Sequence, residues 1–247
     1  MSITERTCTF HEEIPAIAVC TECGGDICGE CHGMDPQGLA VCRECRGEFR
    51  PPGIPWEMES PGPTAIGFGK TLVGALRAPR SFFMQMEPTN NWGPAAVFGV
   101  LCVTLGSLFS TIWQKAFSPE YSDLIVRYTE EFGTSAVMAE FAIFAMIPFG
   151  AVLLYFLHTA LFFFALRMFG VEEATWSLVA RIAGYSLSAY LLLLFPPLGE
   201  FSLGHFLMVI WLFNLEVSAV RWFFQIGFWK SMGVVLLPFT LFLFAVA

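Results

Sequence analysis

The chain has 247 residues, of which 55% are hydrophobic and 14% are charged, whereas an ordinary soluble domain carries about 25% charged residues. This composition indicates an integral membrane protein rather than a soluble enzyme. The net charge of −8, with only a thin strip of basic residues, argues against a nucleic-acid-binding function.

The first fifty residues contain seven of the eight cysteines, arranged in a regular series of pairs. The pairs are Cys8-x2-His11, Cys20-x2-Cys23, Cys28-x2-Cys31 and Cys42-x2-Cys45. Eight ligands in four pairs fit two tetrahedral zinc sites, because a C-x2-C turn places both sulfurs on one side of a tight knuckle. A disulfide framework would leave one of the seven cysteines unpaired. The polar start of the chain does not resemble a secretory signal, so we expect reduced thiols.

The sequence therefore predicts a two-zinc domain over residues 1–50. All four protein positions of each site are filled, so we expect both zinc ions to be structural rather than catalytic. The pairs can be grouped sequentially, as the first two and the last two, or in an interleaved way. His32, beside Cys31, is an alternative ligand.

The order C-x2-H, C-x2-C, C-x2-C over residues 8–31 resembles a B-box zinc finger. That resemblance implies interleaved pairing, with one site formed by Cys8, His11, Cys28 and Cys31 and the other by Cys20, Cys23, Cys42 and Cys45. It also implies protein–protein contact, here with a cytosolic partner. The B-box usually closes with two histidines, where this chain has Cys42 and Cys45, so no specific partner is carried over.

Two segments separate the cysteine domain from the apolar region. Residues 51–63 contain five prolines and two glycines, which predicts a semi-extended tether. Residues 64–91 predict a basic amphipathic helix on the membrane surface, because Leu72, Val73 and Leu76 lie at helical spacing and Lys70 and Arg77 share the other face. A soluble helix packed on the cysteine domain is the alternative.

Residues 92–247 contain five long apolar runs, four of which are close to the length of about 17–25 residues that a membrane helix needs. The second run is too long for one span and too short for two, so it predicts one long helix, kinked near Pro148. A short acidic helix between the first two runs should begin at Ser118-Pro119 and end at Gly133. The fold class predicted is an all-α membrane bundle of five transmembrane helices with a small two-zinc domain. The spans are Trp92–Trp113, Ala136–Phe169, Trp176–Phe195, Phe201–Val220 and Ser231–Ala247.

Basic residues set the predicted orientation, since they collect on the cytoplasmic side of membrane proteins. With the cysteine domain inside, the basic residues at the span ends fall mostly on the inner side. The sequence therefore predicts a cytoplasmic N-terminus and a C-terminus outside. The inner-side residues are Lys70, Arg77, Arg80, Arg167, Arg181, Arg221 and Lys230.

Several short motifs stand out in the apolar region: Leu157-His158, Leu166-Arg167-Met168-Phe169-Gly170, Ala183-Gly184-Tyr185-Ser186 and Phe195-Pro196-Pro197-Leu198-Gly199. They resemble the Yip family, which consists of five-span membrane proteins named for binding Rab-type GTPases. The resemblance covers about residues 64–247 and implies a five-helix domain without known catalytic residues. A cysteine domain fused to such a bundle looks like a bacterial arrangement, which implies a location in the bacterial inner membrane and does not carry over the GTPase role.

Polar residues within the spans predict a cluster in the inner leaflet. A charge in the hydrocarbon costs about 2.5–3.5 kcal/mol on insertion scales, so Arg181 and Glu216, at similar depths, should pair, with Asn214 and His158 nearby. The alternative is that Arg181 extends to the headgroups and Glu216 is protonated or hydrated.

The sequence favours a non-enzymatic membrane protein, because it lacks H-E-x-x-H, G-x-S-x-G and an intramembrane aspartate pair. We expect an interaction or scaffold role in which the zinc domain binds a cytosolic protein and the bundle contacts the lipid bilayer. A small transporter or channel regulated through the zinc domain is the alternative. A homo-oligomer is left open.

Overall fold

The computed structural model describes residues 6–11, 13–29, 31–34, 39–42, 45, 53–58, 63–86, 89–198 and 202–246. For residues 239–246 it describes the backbone alone. The chain forms two compact units. The first comprises Met1–Gly53 and Met84–Glu87, and the second comprises Ile54–Phe83 and Pro88–Ala247.

The first unit is built on two antiparallel hairpins of two-residue strands. Strand β1 (Ala18–Val19) pairs with β2 (Asp26–Ile27), and β3 (Gly33–Met34) pairs with β4 (Ala40–Val41). The buried core consists mainly of cysteines, and its large aliphatic members are Ile27 and Val41. An apolar core this small does not supply enough free energy to fold the unit. In small domains of this kind, bound metal commonly supplies the folding free energy.

The second unit is helical. Helices α1 (Pro55–Met58), α2 (Ala65–Arg77) and α3 (Pro79–Met84) come first, although the last residue of α3 belongs to the first unit. The remaining elements are α4 (Gly93–Phe117), α5 (Pro119–Phe132), α6 (Ala136–Met168), α7 (Trp176–Ser186), a 3-10 helix (Leu187–Leu194), α8 (Leu203–Phe224) and α9 (Phe228–Val246).

Side-chain caps account for where three of these helices begin. Thr64, Ser135 and Thr175 stand just before α2, α6 and α7, and each hydroxyl accepts a hydrogen bond from a backbone N–H three residues on. Gly133 ends α5 with φ of 60°, a left-handed conformation that glycine adopts without strain. The predicted short helix from Ser118-Pro119 to Gly133 is therefore confirmed.

Four helical segments of the described chain are long and apolar enough to cross a membrane, and they correspond to the first four predicted spans. They are Gly93–Phe117, Ala136–Met168, Trp176–Leu194 and Leu203–Phe224. Pro148 lies inside the long second span, α6. The fifth predicted span coincides with α9 up to Val246, and Ala247 lies outside the described residues. Five spans therefore stay a prediction.

Close backbone contact between α4 and the third span forms the centre of the bundle. A Cβ atom added to Gly99 would lie 2.6 Å from the carbonyl oxygen of Gly184. One added to Gly184 would overlap the carbonyl of Ala95, and one added to Gly106 would overlap that of Tyr190. The contacts advance in the same order along both segments, so α4 and the third span run in the same direction. Small residues at this seam allow the backbones to approach.

The third span differs from the continuous helix that its apolar run predicts. It is α-helical to Ser186 and then continues as an eight-residue 3-10 helix. Runs of 3-10 helix longer than three or four residues are uncommon, because their hydrogen-bond geometry is poorer. This segment packs against α4 and α8, which hold it within the bundle.

The segments before the first span are more structured than the sequence predicts. Pro55–Met58, inside the predicted tether, form α1, and Trp56 is buried. The predicted surface helix over 64–91 is divided into α2 and α3, because Pro79 disfavours a helical conformation at Ala78, which has φ of −144° and ψ of 71°. The buried face of α2 consists of small residues, Gly67, Thr71 and Ala75.

Candidate metal centres and buried ion pairs

The first candidate metal centre contains Cys8, His11, Cys28 and Cys31. One donor atom from each residue lies within 4.8 Å of the others. The His11 Nδ1 atom is 3.4 Å from the sulfur atoms of both Cys28 and Cys31. A tetrahedral zinc ion with Zn–S bonds of about 2.3 Å places its ligand atoms about 3.5–3.8 Å apart. The four donors therefore fit a tetrahedral metal ion.

The second candidate centre contains Cys20, Cys23, Cys42 and Cys45, with the same 4.8 Å limit on the distances between sulfur atoms. The sulfur atoms of Cys23 and Cys42 are 3.7 Å apart, far longer than a disulfide bond of about 2.05 Å, and all eight cysteines are free thiols. The Cys42 N–H donates to the Cys20 sulfur over 3.2 Å, and the Cys45 N–H donates to the Cys42 sulfur over 3.3 Å. Such N–H donors stabilise thiolates, which are the form that binds metal.

The hairpin β1–β2 explains how neighbouring pairs are directed to different centres. Cys20 and Cys23 lie in the turn that connects β1 to β2, whereas Cys28 follows β2 at the open end of the hairpin. The two pairs therefore begin at opposite ends of the hairpin. Gly24, directly after Cys23, has φ of 72° and allows the turn to reverse. The resulting groups follow the interleaved arrangement rather than the sequential one, and His32 belongs to neither group.

The cysteine thiols in each group alter one another's pKa, because several ionisable sulfur atoms lie close together. Burial opposes ionisation of Cys8, but N–H donors from Phe10 and Cys28 lower the pKa of its thiol to about 6. Burial and the neighbouring Cys8 and Cys28 raise the pKa of the Cys31 thiol to about 12. In the second group, Cys42 and Cys23 raise the pKa of the Cys45 thiol. A bound divalent cation would stabilise all the thiolates at once and so offset the effect of the neighbouring sulfur atoms on these pKa values.

The structure corrects the predicted partner of Arg181. Its side chain is fully buried, and its Nη2 atom donates to Glu57 Oε2 over 2.6 Å, while Nε donates to Glu57 Oε1 over 3.3 Å. The Tyr185 hydroxyl donates to the same Oε1 over 2.7 Å. The predicted pair with Glu216 is therefore wrong. Depth along a helix does not fix the direction of a side chain around its axis.

Glu216 is paired instead with His158, whose Nε2 lies 2.5 Å from Glu216 Oε1. The predicted proximity of His158 and Glu216 is thus confirmed. Asn214 is exposed, on a different face of α8, because residues two positions apart on a helix do not face the same way. The second carboxylate oxygen of Glu216 is buried with no hydrogen-bond partner among the described residues.

Sequence reasoning missed Glu57. It lies in a proline- and glycine-rich stretch that predicts a tether, and no periodic pattern draws attention to it. The available signal is its neighbour Trp56, the one aromatic residue in this proline-rich segment. In the structure Trp56 Nε1 donates to the Pro94 carbonyl over 2.8 Å, and its ring packs edge-on against Phe68 and Phe98.

A helical bundle with four membrane-length segments, preceded by two groups of metal-binding side chains, defines an integral membrane protein with a candidate metal-binding domain. The family model of the Yip1 domain matches residues 73–247, and the chain belongs to that family of membrane proteins, which are not known as enzymes. No curated protein and no solved structure matches the chain. The predicted Yip resemblance is confirmed, whereas the B-box resemblance and Rab-type binding are not.

Proposed function

We propose that the chain is a non-enzymatic membrane protein whose cysteine domain, residues 1–50, binds two structural zinc ions and docks a cytosolic protein at the membrane. The observation that carries this proposal is the arrangement of eight donors in two complete groups of four. A complete ligand set leaves no open coordination position for a substrate, so the metal contributes folding free energy rather than catalysis.

The residues assigned to each ion are Cys8, His11, Cys28 and Cys31 for one and Cys20, Cys23, Cys42 and Cys45 for the other. Thiolate-rich sites with imidazole favour zinc over hard cations such as magnesium or calcium. Thiols remain reduced in the cytoplasm, which supports a cytoplasmic N-terminus. The proposed location in the bacterial inner membrane follows from the arrangement of a cysteine domain fused to a Yip-like bundle. In this proposal residues 51–63 connect the zinc domain to the segment 64–91 on the membrane surface, and residues 92–247 cross the bilayer five times.

Cross-linking in intact membranes tests the docking role on the full chain. Wild-type protein should capture the same soluble protein in repeated experiments, and Cys20→Ser or zinc chelation should abolish that capture. Cys102→Ala is the matched control, because Cys102 is buried in α4 and belongs to neither group of donors. Equal capture by wild type and Cys20→Ser would contradict the proposal.

A second function, transport of a proton or small cation, is supported by a specific feature of the bundle. The third span is interrupted by its 3-10 segment, and broken helices are typical of transporter binding sites. Near the interruption, the hydroxyls of Ser186 and Ser188 are buried without a hydrogen-bond partner in the described part of the chain. Vesicles containing purified protein and a trapped pH-sensitive dye distinguish the two functions. Proton flux that Glu216→Gln abolishes would favour transport over docking.

A further inference from the structure

Arg181 and Tyr185 together direct three hydrogen-bond donors at the carboxylate of Glu57, inside the second unit. Glu57 belongs to the segment that precedes the Yip1 domain. We propose that Arg181 and Tyr185 form a binding site for a phosphate-bearing anion, which Glu57 fills as an internal plug. We call the donor pair the anion cradle. Displacement of Glu57 by a phosphate group opens the cradle.

The geometry of the cradle matches an anion with two or more oxygens. Arg181 Nη2 and Nε reach different oxygens of Glu57, at 2.6 Å and 3.3 Å, and the Tyr185 hydroxyl adds a third contact at 2.7 Å. The planar fork of a guanidinium group pairs equally well with a carboxylate and with two oxygens of a phosphate. Glu57 therefore shows where such oxygens bind.

The charge of the cradle is permanent. The Arg181 side chain has an exposed fraction of 0%, and an arginine in a protein does not release its proton. A buried cation therefore needs an anion, whether that anion belongs to the chain or is bound from outside. Phe82 and Phe98 pack against the Tyr185 ring, each with ring centres 5.4 Å apart, and this aromatic wall keeps the ion pair strong by excluding water.

Glu57 has the properties of an occupant that can leave. It belongs to α1, a helix of four residues, and its side chain is 21% exposed whereas that of Arg181 is not exposed. It also lies outside residues 73–247, the part matched by the Yip1 domain, while both cradle residues lie within them. The Trp56 side chain holds α1 in place, because its indole N–H donates to the Pro94 carbonyl over 2.8 Å and its ring packs against Phe68 and Phe98.

The depth of the cradle suits the phosphate of a membrane lipid. Arg181 is five residues after the start of α7, which corresponds to about 7.5 Å along the helix axis. If α7 begins at the membrane surface, as the sequence predicts, that distance brings the guanidinium within reach of a lipid phosphate and of dissolved phosphate. The shared chemistry is a phosphate group, and the experiment separates the two sources.

The test measures lipid retained by full-length protein that is purified from phosphatidylcholine vesicles with or without phosphatidylglycerol, using native mass spectrometry. Glu57→Gln keeps the shape of the plug and removes its charge. If the cradle of the wild type is open about a tenth of the time, this substitution lowers the apparent Kd for phosphatidylglycerol about tenfold. Adding Arg181→Gln to Glu57→Gln should abolish the gain, and Tyr185→Phe should reduce it.

Trp56→Ala provides a second route to the open cradle, because it loosens α1 and leaves both charges in place. It should also raise phosphatidylglycerol retention, and it carries the test if Glu57→Gln does not fold. Glu140→Gln is the matched control. Glu140 Oε2 pairs with Lys115 Nζ over 2.6 Å, and this ion pair is solvent-exposed and separate from the cradle. That variant should retain lipid like the wild type.

Inorganic phosphate is the probe that tests whether the cradle binds a dissolved phosphate rather than a lipid phosphate. Thermal stabilisation of Glu57→Gln by phosphate, without increased lipid retention, would assign the cradle to a dissolved anion and keep the site. Equal binding of phosphatidylglycerol and of phosphate by wild type, Glu57→Gln and Trp56→Ala would overturn the proposal and make the Arg181–Glu57 pair purely structural.

Discussion

Arg181 and Glu57 are separated by 124 positions in the sequence, yet their side chains form an ion pair of 2.6 Å in the structure. The pair joins the short helix α1 to the third span. Its two members are not equivalent, because the Arg181 side chain is fully buried, whereas that of Glu57 is 21% exposed and can be hydrated.

This asymmetry predicts unequal effects of removing each partner. Glu57→Leu removes the ion-pair partner of a buried cation and should lower the free energy of unfolding by up to about 3–5 kcal/mol, the usual cost of breaking a buried ion pair from one side. Arg181→Leu leaves a partly exposed carboxylate and should cost less. The double variant should be more stable than Glu57→Leu alone. Thermal unfolding in detergent measures all three, and additive losses would contradict the coupling.

The C-x2-C pairs and four membrane-length helices could be predicted because their signals are local, whereas the interleaved grouping of the pairs is implied only by the B-box resemblance. A C-x2-C pair brings its two sulfurs together whatever surrounds it, and an apolar run of sufficient length forms a span. The partner of Arg181 could not be predicted in this way. Hydropathy gives the depth of Glu216 but not the direction of its side chain, and nothing marks Glu57 as a buried group.

The change from α-helix to 3-10 helix in the third span is a second feature that the sequence does not predict. Residues Leu187–Leu194 contain neither proline nor glycine, so no local rule ends the α-helix at Ser186. The backbone of Tyr190 lies against Gly106 of α4, which shows that packing between helices accompanies the change. Tertiary contacts override an apolar run that is itself compatible with a continuous helix.

The cysteine domain should contain two zinc ions per chain, as measured by elemental analysis of reduced, purified protein. Cys28→Ser should remove the ion shared with Cys8 and His11, while Cys42→Ser should remove the ion shared with Cys20 and Cys23. Each single variant should therefore retain about one ion, because each centre has four ligands. Cys102→Ala should retain both ions. One ion or none in the wild type would contradict the assignment.

The pair His158–Glu216 should show the opposite asymmetry to Arg181–Glu57, because here the acid is the more buried partner. The exposed side-chain fractions are 12% for His158 and 0% for Glu216. His158→Leu leaves a fully buried carboxylate and should destabilise the bundle more than Glu216→Leu, which leaves a partly exposed imidazole. Asn214→Leu, on an exposed face of α8, serves as the control and should have little effect. Equal losses from both single variants, measured by thermal unfolding, would contradict this interpretation.

The number of spans determines on which side of the membrane the C-terminus lies. With five spans, a reporter fused after Ala247 should be outside, while a reporter fused before Met1 stays inside. A reporter inserted after Glu173, between the second and third spans, should be inside and serves as the internal control. Both ends on the same side would mean that α9 does not cross, leaving the four spans that the described side chains support.

The glycine seam between α4 and the third span should be sensitive to a single added methyl group. Gly184→Ala would place its Cβ against the Ala95 carbonyl, which belongs to a helix backbone and cannot move away like a flexible side chain. Separating the two helices to relieve that overlap should cost about 1–3 kcal/mol, the usual penalty of overpacking. Gly106→Ala, against the Tyr190 carbonyl, should behave in the same way.

Gly150→Ala separates this packing effect from the intrinsic preference of helices for alanine. Gly150 lies in α6, and nothing is within 4 Å of a Cβ placed there. The same substitution should therefore be neutral or should stabilise the helix by about 0.5–1 kcal/mol, since alanine loses less conformational freedom than glycine. Thermal unfolding of the three variants under identical detergent conditions checks the prediction. Equal stability changes at Gly184, Gly106 and Gly150 would show that the seam does not hold the third span against α4.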